Sequence, residues 1–344
     1  CSMAGYRYFI KKEWPVTQRI TSKVMIKSRI YSRVPSHSFF MKYRYPAMLH
    51  TMPKNLVIFG GFAIGLILMV SIYGVLHARR VYVRQDPVVI EKSSSLPGLK
   101  IALIADLHLG YNSTKSHVRK IVDTINSQNV DLVCIAGDLF DNDYDAIKDP
   151  DKVADILSDI KSRYGTYACW GNHDVSEKIL AGFTFPQKET IVRDGRFTEF
   201  LHHAGITMLE DETVCIDNAF YLVGRRDKDM AKKEQLLRKT FSEITEPLDP
   251  SLPIIVMDHQ PGELSEASDA GVDLDLSGHT HDGQMFPANL VVHFLWENAC
   301  GVLKKGAMTS IVTSGAGVWG PAMRVGTNNE VVIANVSFDP ATDQ

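Results

Sequence analysis

From Leu99 onward, short apolar runs alternate with amphipathic stretches. The strand-like runs are KIALIA (100–105), DLVCIA (131–136), GTYACW (165–170), PIIVMD (253–258) and VDLDLS (272–277). Between them, apolar spacing predicts helices over Thr114–Ser127, Asp151–Lys161, Arg196–Ala204, Asp229–Thr240 and Gly262–Ala270. Further β-rich runs follow at Phe220–Val223, Met308–Thr313 and Val331–Val336. Near-continuous apolar strands separated by helices predict an α/β domain whose sheets are buried under helices.

The first ninety residues follow a different pattern. Residues 55–76, NLVIFGGFAIGLILMVSIYGVL, carry no charge over 22 positions. As a helix they would span roughly 33 Å, enough to cross a hydrocarbon core. A buried core helix or a cleaved signal peptide is the competing reading. The first would show a polar face, and the second would be shorter and end at small residues; this run ends in HARRVYVR. The expectation is an uncleaved single-pass anchor in the cell membrane, with basic residues on both flanks leaving the side of the following domain undecided. Residues 77–98, with two prolines and a serine run, read as a linker, and the globular domain is expected over 99–344.

Charge sharpens this division. Residues 1–54 hold eleven Lys or Arg against Glu13 alone, so residues 55–344 must carry −13 of the chain's −3 total. An acidic main body argues against a nucleic-acid partner, which requires a basic face. For the basic segment two readings stand: a tail attracted to anionic lipid, or sequence that precedes a native start at Met52. Five scattered cysteines without a C-x-x-C form neither a disulfide framework nor a thiolate metal site. Cys134 and Cys169, inside strand-like runs, read as buried thiols.

Each of the five apolar runs ends in chemistry. After the first comes D-L-H (Asp106, His108), and after the second G-D-L-F-D (Asp138, Asp141). The third is followed by G-N-H-D (Asn172, His173, Asp174), the fourth by His259 and the fifth by G-H-T-H (His279, His281). Taken singly, each has an ordinary role: Asp106 as a helix cap, Asp138 in a turn, Asn172 in a left-handed bend, His259 as a hydrogen-bonded core residue. Their recurrence at strand carboxyl ends, where α/β sheets bind ligands, is what those roles do not explain. If the chain stays extended there, Asp106/His108 and His279/His281 each aim two donors to one side. Imidazoles, carboxylates and one amide without thiolate suit Mn, Fe or Zn, and seven donors exceed the needs of one tetrahedral ion.

The ordered set D-x-H, G-D-x-x-D, G-N-H-D, H and G-H-x-H resembles the calcineurin-like metallophosphoesterase superfamily, and most of all its membrane-anchored bacterial branch. The resemblance implies two mixed β-sheets packed as a sandwich flanked by helices. It implies two divalent metal ions, the first held by Asp106, His108 and His281 and the second by Asn172, His259 and His279, with Asp138 bridging. His173 would protonate the leaving group and Asp141 would orient it. The implied reaction is hydrolysis of a phosphomonoester, phosphodiester or pyrophosphate by a hydroxide between the metals. The tether points to a lipid-linked or envelope phosphodiester or pyrophosphate as one substrate class, with UDP-2,3-diacylglucosamine one candidate, while nucleotides and wall phosphopolymers stay open. The protein is expected to be a monomer. Asp258 and Asp282 stand where relatives carry other residues. Arg225, Arg226 and Arg324 are candidate phosphate contacts. Neither a P-loop nor a G-x-S-x-G elbow is present. The competing class is a membrane-anchored scaffold on the same fold that has lost catalysis.

Overall fold

The computed structural model describes residues 53–177, 179–180, 183–184 and 193–339. The expectations for residues 1–51 lie outside this range. The chain divides into two units, residues 1–60 and 61–344. The first contributes the start of α1 (Lys54–His77), the one helix among the described residues that is long and apolar enough to cross a membrane. Its most apolar stretch is wholly unburied, so no polar face or protein core accounts for its composition.

The second unit follows in the order β1 (Tyr82–Ile90), β2 (Leu99–Ile104), α2 (Lys115–Ser127), β3 (Leu132–Ala136), α3 (Pro150–Ser158), β4 (Thr166–Cys169). A short hairpin, β5 (Ile179–Leu180) and β6 (Phe183–Thr184), precedes α4 (Gly195–His203), β7 (Ile206–Met208), β8 (Glu212–Ile216) and β9 (Phe220–Gly224). Next come α5 (Lys228–Glu234), α6 (Phe241–Thr245), β10 (Ile254–Met257), α7 (Leu264–Asp269) and β11 (Leu274–Ser277). The described chain closes with α8 (Ala288–Leu295), β12 (Gly301–Lys305), β13 (Met308–Val312) and β14 (Glu330–Phe338).

Two mixed six-stranded sheets result, in the orders β1-β14-β2-β3-β4-β7 and β12-β13-β11-β10-β9-β8. Along β2 and β3 successive residues feed two different cores, because alternate side chains of a strand point to opposite faces. Ile101, Leu103, Leu132 and Cys134 meet Leu222, Ile255, Leu274 and Leu276 between the sheets. Ala102, Ile104, Val133 and Ile135 instead pack under α2, α3 and α4 through Ile121, Ile125, Leu157 and Phe197. On the outer face of the second sheet, Val223 and Val256 pack beneath Phe241 and Leu264. The central strands of both sheets are thus buried on both faces, which is why they read as near-continuous apolar runs.

Two expectations are corrected. The segment 77–98 is not a linker throughout, because β1 lies inside it and pairs in parallel with β14 from Tyr82↔Glu330 to Ile90↔Phe338. Asp86, Val88 and Ile90 face inward at the sheet edge, the position where a strand tolerates Pro87. The predicted helix Asp229–Thr240 is interrupted as well: Gln235 adopts a left-handed conformation (φ 56°), and Thr240 caps a separate helix through a box with Glu243.

Candidate metal centre

The parallel strands β2, β3, β4, β10 and β11 all present their carboxyl ends on one side of the sandwich, and the loops beyond them converge. They converge on Asp138. Its Oδ2 lies 3.1 Å from His259 Nε2 and 3.8 Å from His108 Nε2, while its Oδ1 accepts the His173 backbone N–H at 2.8 Å. On one side His108 Nε2 and His281 Nε2 stand 3.0 Å apart, with Asp106 Oδ1 3.6 Å from the latter. On the other, His259 Nε2 lies 3.1 Å from Asn172 Oδ1 and 3.2 Å from His279 Nδ1. The ligand atoms of Asp106, His108 and His281 fall within 4.8 Å of one another, as do those of Asp138, His259 and His279. A third such group joins His108, Asp141 and His173.

The chemistry of these donors fits cations. His259 Nδ1–H donates to the Ala136 carbonyl at 2.8 Å, which fixes the tautomer and leaves the Nε2 lone pair facing the cluster. Asp106, Asp138, His108 and His259 are almost wholly buried. Charged groups at such depth require partners, and lone pairs aimed at one another at about 3 Å are best reconciled by a positive ion between them.

The local backbone departs from the extended conformation expected around the D-x-H and H-x-H pairs. β2 ends at Ile104 and β11 at Ser277, and Asp106, His108, Asp138, His279 and His281 all have positive φ, between 44° and 71°. Left-handed turns, not strand pleating, bring the paired donors together. Asp and His tolerate this region better than most residues, and such strain concentrates at functional sites. Close approach of the loops also demands glycine. A Cβ on Gly278 would lie 2.4 Å from Ala105 Cβ, and one on Gly171 would lie 2.3 Å from the Asp138 backbone nitrogen.

The electrostatics follow from burial with few compensating charges. Burial, assisted by the charge of Asp138, pushes the Asp106 carboxyl up to about 6. Burial would raise Asp138 too, but His259, His173 and His108 outweigh it and hold that carboxyl well below its usual range. Desolvation lowers His173 to about 4 and His279 to about 3, against the pull of nearby carboxylates.

All nine residues expected at the site are brought together, but one pairing differs. His173 Nδ1–H donates to Asn142 Oδ1 at 2.5 Å, not to Asp141. The amide orientation is set by the two acceptors on its other side, Val175 O at 3.3 Å and Glu177 Oε2 at 3.1 Å. Asp141 Oδ1 lies 3.5 Å from His108 Nδ1 instead. Sequence reasoning missed Asn142, which directly follows the G-D-x-x-D block without any spacing signal of its own. It also gave no role to Asp174, whose buried carboxylate accepts from Gly171 N at 2.7 Å and Phe140 N at 2.8 Å and so ties two site loops together.

The arginines named as candidate phosphate contacts, with an ordinary surface role as the alternative, are engaged elsewhere. Arg324 is fully buried, donating to the carbonyls of His281 (3.0 Å), Ser314 (2.6 Å) and Gly317 (2.8 Å). It pins the H-x-H turn to the 314–317 loop, and burial lowers its guanidinium to about 10. Arg225 pairs with Asp258 at 3.1 Å and Glu263 at 3.0 Å, and Arg226 with Glu210 at 3.1 Å. Asp258 is thereby accounted for as a buried counter-ion, and Asp282 bonds His293 at 2.9 Å.

Residues 99–283 match the family model described as calcineurin-like phosphoesterase. A metallophosphoesterase of Helicobacter pylori is 32% identical over 251 residues, covering 72% of this chain and 62% of that protein. A zebrafish (Danio rerio) protein named as a transmembrane protein with metallophosphoesterase domain is 28% identical over 285 residues, covering 76% of this chain and 59% of its own. The chain therefore spans about three fifths of the length of these relatives. Among solved structures, an archaeal phosphodiesterase aligns with 15% identity and a TM-score of 0.33 over 63% of this chain and 85% of that one.

Proposed function

The chain belongs to the calcineurin-like phosphoesterase family, and from that premise we propose that it is a membrane-anchored phosphoester hydrolase dependent on two divalent metal ions. The observation that carries this reading is the meeting of seven donors from five strand ends, six of them grouped around the seventh, the carboxylate of Asp138. Asp106, His108 and His281 would hold one ion, Asn172, His259 and His279 the other, and Asp138 both. When bound, the ions would supply an activated water nucleophile at neutral pH and positive charge for the phosphoryl oxygens.

The protein's own residues complete the arrangement. His173, oriented through Nδ1 by Asn142, would present Nε2 to the leaving-group oxygen. With the negative charge of a bound phosphoester opposing the desolvation that otherwise keeps this ring neutral, it would hold a proton there and give it up. Asp138 Oδ1, by accepting the His173 backbone N–H, would keep the acid in register with the metal pair. Asp141 would steady the His108 ring rather than His173. Arg324 would hold the H-x-H turn rigid from beneath.

We further infer that α1 is a single membrane span and that the substrate is lipid-linked. A cavity of about 390 Å³ is lined by Val75, Ala78, Leu107, Val318 and Ala322 and also by His108. Its volume is within the range of small-ligand sites, and it would connect the last turns of the anchor with the metals.

The test is product release by the full chain in detergent over monoesters, diesters and pyrophosphates, after chelation and after adding back Mn²⁺ or Zn²⁺. Release should require metal. Asp138→Asn should lower it by more than ~100-fold together with metal content, since it leaves both ions without their shared charge. Exposed His202→Ala on α4 should stay within about twofold, as surface substitutions usually do. Undiminished release after chelation, or an active Asp138→Asn protein, would sink the reading.

A further inference from the structure

The helix α8, ANLVVHFL, buries none of its eight residues. Leu290 is 62% exposed, Val291 56%, Phe294 94% and Leu295 72%, and Phe286 just before the helix is 62% exposed. Short helices in globular proteins are held by packing one apolar face on a core, and here that face is turned outward. From Gly283 to Trp296 the chain carries no Asp, Glu, Lys or Arg. An apolar patch of this extent marks an interaction surface.

Its neighbour indicates the occupant. Arg324 N donates to Gly74 O of α1 at 3.1 Å, and a Cβ on Gly74 would touch Val325 at 3.0 Å. Val325 in turn bonds Gln284 O at 3.2 Å and receives the Phe286 N–H at 2.8 Å. The last turn of the apolar helix is thus one hydrogen-bonded segment away from the start of α8. The exposed Arg79 and Arg80 follow α1 directly, as cations beside lipid headgroups do. α8 also borders the metal centre, with the Trp296 ring 5.4 Å from that of His279 and His293 bonded to Asp282.

We propose that α8 lies in the surface of the same bilayer that α1 spans, and so seats the mouth of the metal centre at headgroup level, facing phosphoesters carried by lipid. The proposal rests on the reading of α1 as a membrane span. In this arrangement the helix needs no core of its own, because hydrocarbon supplies the apolar surroundings for Phe294, Leu290 and Leu295. A lipid-borne substrate reaches the metals without leaving the interface.

The experiment uses the full chain in phosphatidylcholine–phosphatidylglycerol vesicles, with exposed Cys215 replaced by serine. A nitrobenzoxadiazole dye is placed on Leu290→Cys, Phe294→Cys or Asn218→Cys. Asn218 lies in the exposed β8–β9 turn, at the end of the strands away from the metal centre. Lipids bearing a shallow nitroxide should quench the dye at 290 and 294 by at least about twofold and leave 218 unchanged, as expected of a helix buried to the headgroup–acyl boundary. Alkaline carbonate extraction reads the anchor separately. A chain that resists extraction but shows no quenching on α8 overturns the docking and keeps the anchor. A chain that is extracted removes both readings. Shielding of the dye without quenching, with crosslinking between two copies through position 294, assigns the face to self-association and also overturns the proposal.

Discussion

Gly171→Ala offers a sharp test of the way the site is assembled, because it adds a single methyl group where the structure leaves no room. The backbone of Gly171 is not in the left-handed region, so alanine meets no conformational objection there. The obstacle is space. The added Cβ would lie 2.2 Å from Asp138 Oδ1 and 2.3 Å from Asp138 N, against an ordinary contact of about 3.4 Å and beyond. A main-chain nitrogen cannot swing aside as a side-chain tip can, so the two loops must separate by roughly 1 Å. Overpacking of this kind typically costs about 1–3 kcal/mol, or about 2–12 °C in the melting temperature of a domain of this size. The larger effect should be kinetic. Asp138 and His173 are joined across this contact by a 2.8 Å bond, and a 1 Å misplacement at reacting groups costs about 10²-fold. The assays are thermal unfolding of the metal-free protein, metal content by elemental analysis, and hydrolysis of bis(4-nitrophenyl) phosphate with metal restored. Gly195→Ala, in the first turn of α4 with nothing within 4 Å, makes the same chemical change and should stabilise by about 0.5–1 kcal/mol without altering the rate. If Gly171→Ala keeps its melting temperature and its rate within threefold, the loops are not held at the separation described.

Three further outcomes are expected. His173→Asn should leave metal content intact and lower hydrolysis of an alkyl ester by ~10²–10⁴-fold but that of a nitrophenyl ester far less, since only the poor leaving group needs a proton; equal losses on both would exclude the acid role. Asp275 is buried on β11, and desolvation together with Asp258 raises its carboxyl to about 7. Between about pH 4 and 7 the folded state therefore holds a proton that the unfolded chain has released, so stability falls as pH rises through that window. Asp275→Asn should remove up to roughly 4 kcal/mol of that decline in urea unfolding of the metal-free protein, and an unchanged slope would show that the carboxyl titrates normally. A chain beginning at residue 91 should be less stable and more prone to aggregate than one beginning at residue 78, because loss of β1 uncovers the β14 edge and discards the buried Val88 and Ile90; equal melting temperatures would show that β1 is dispensable.

The central strands were legible where burial on both faces left an unmistakable apolar run, as in LVCIA (132–136) or IIVM (254–257), while the pairing of two sheets as a sandwich came from the family resemblance. The edges were illegible. β1 holds Arg84, Gln85, Asp86 and Pro87 in succession, which reads as loop until the partner strand β14 supplies the reason for its alternation. At the site, the Asp, Asn and His residues that meet were readable because they recur at the ends of five strands. The routes that bring them together were not, since left-handed Asp106 and His281 look the same in sequence as extended ones. Asn142 was missed because an amide that orients a histidine needs no fixed spacing from it. Arg324 could be named only as one candidate among three, because an arginine engaged by three carbonyls is written with the same letter as one that awaits a phosphate.

The position of β14 bears on how the protein is made. The last described strand lies between β1 and β2, two of the earliest, bonded in parallel to one and antiparallel to the other. While the chain emerges from a ribosome, the first strands are available long before the strand that joins them. More than two hundred residues separate Ile104 from Phe338, which at about 5–20 residues per second is roughly 10–50 s of synthesis. Throughout that interval β2 keeps an open edge of unpaired amides beside a helix already apolar enough to enter a membrane. The nascent domain thus depends for tens of seconds on whatever shields that edge, and a premature stop anywhere before residue 330 leaves the first sheet without its keystone.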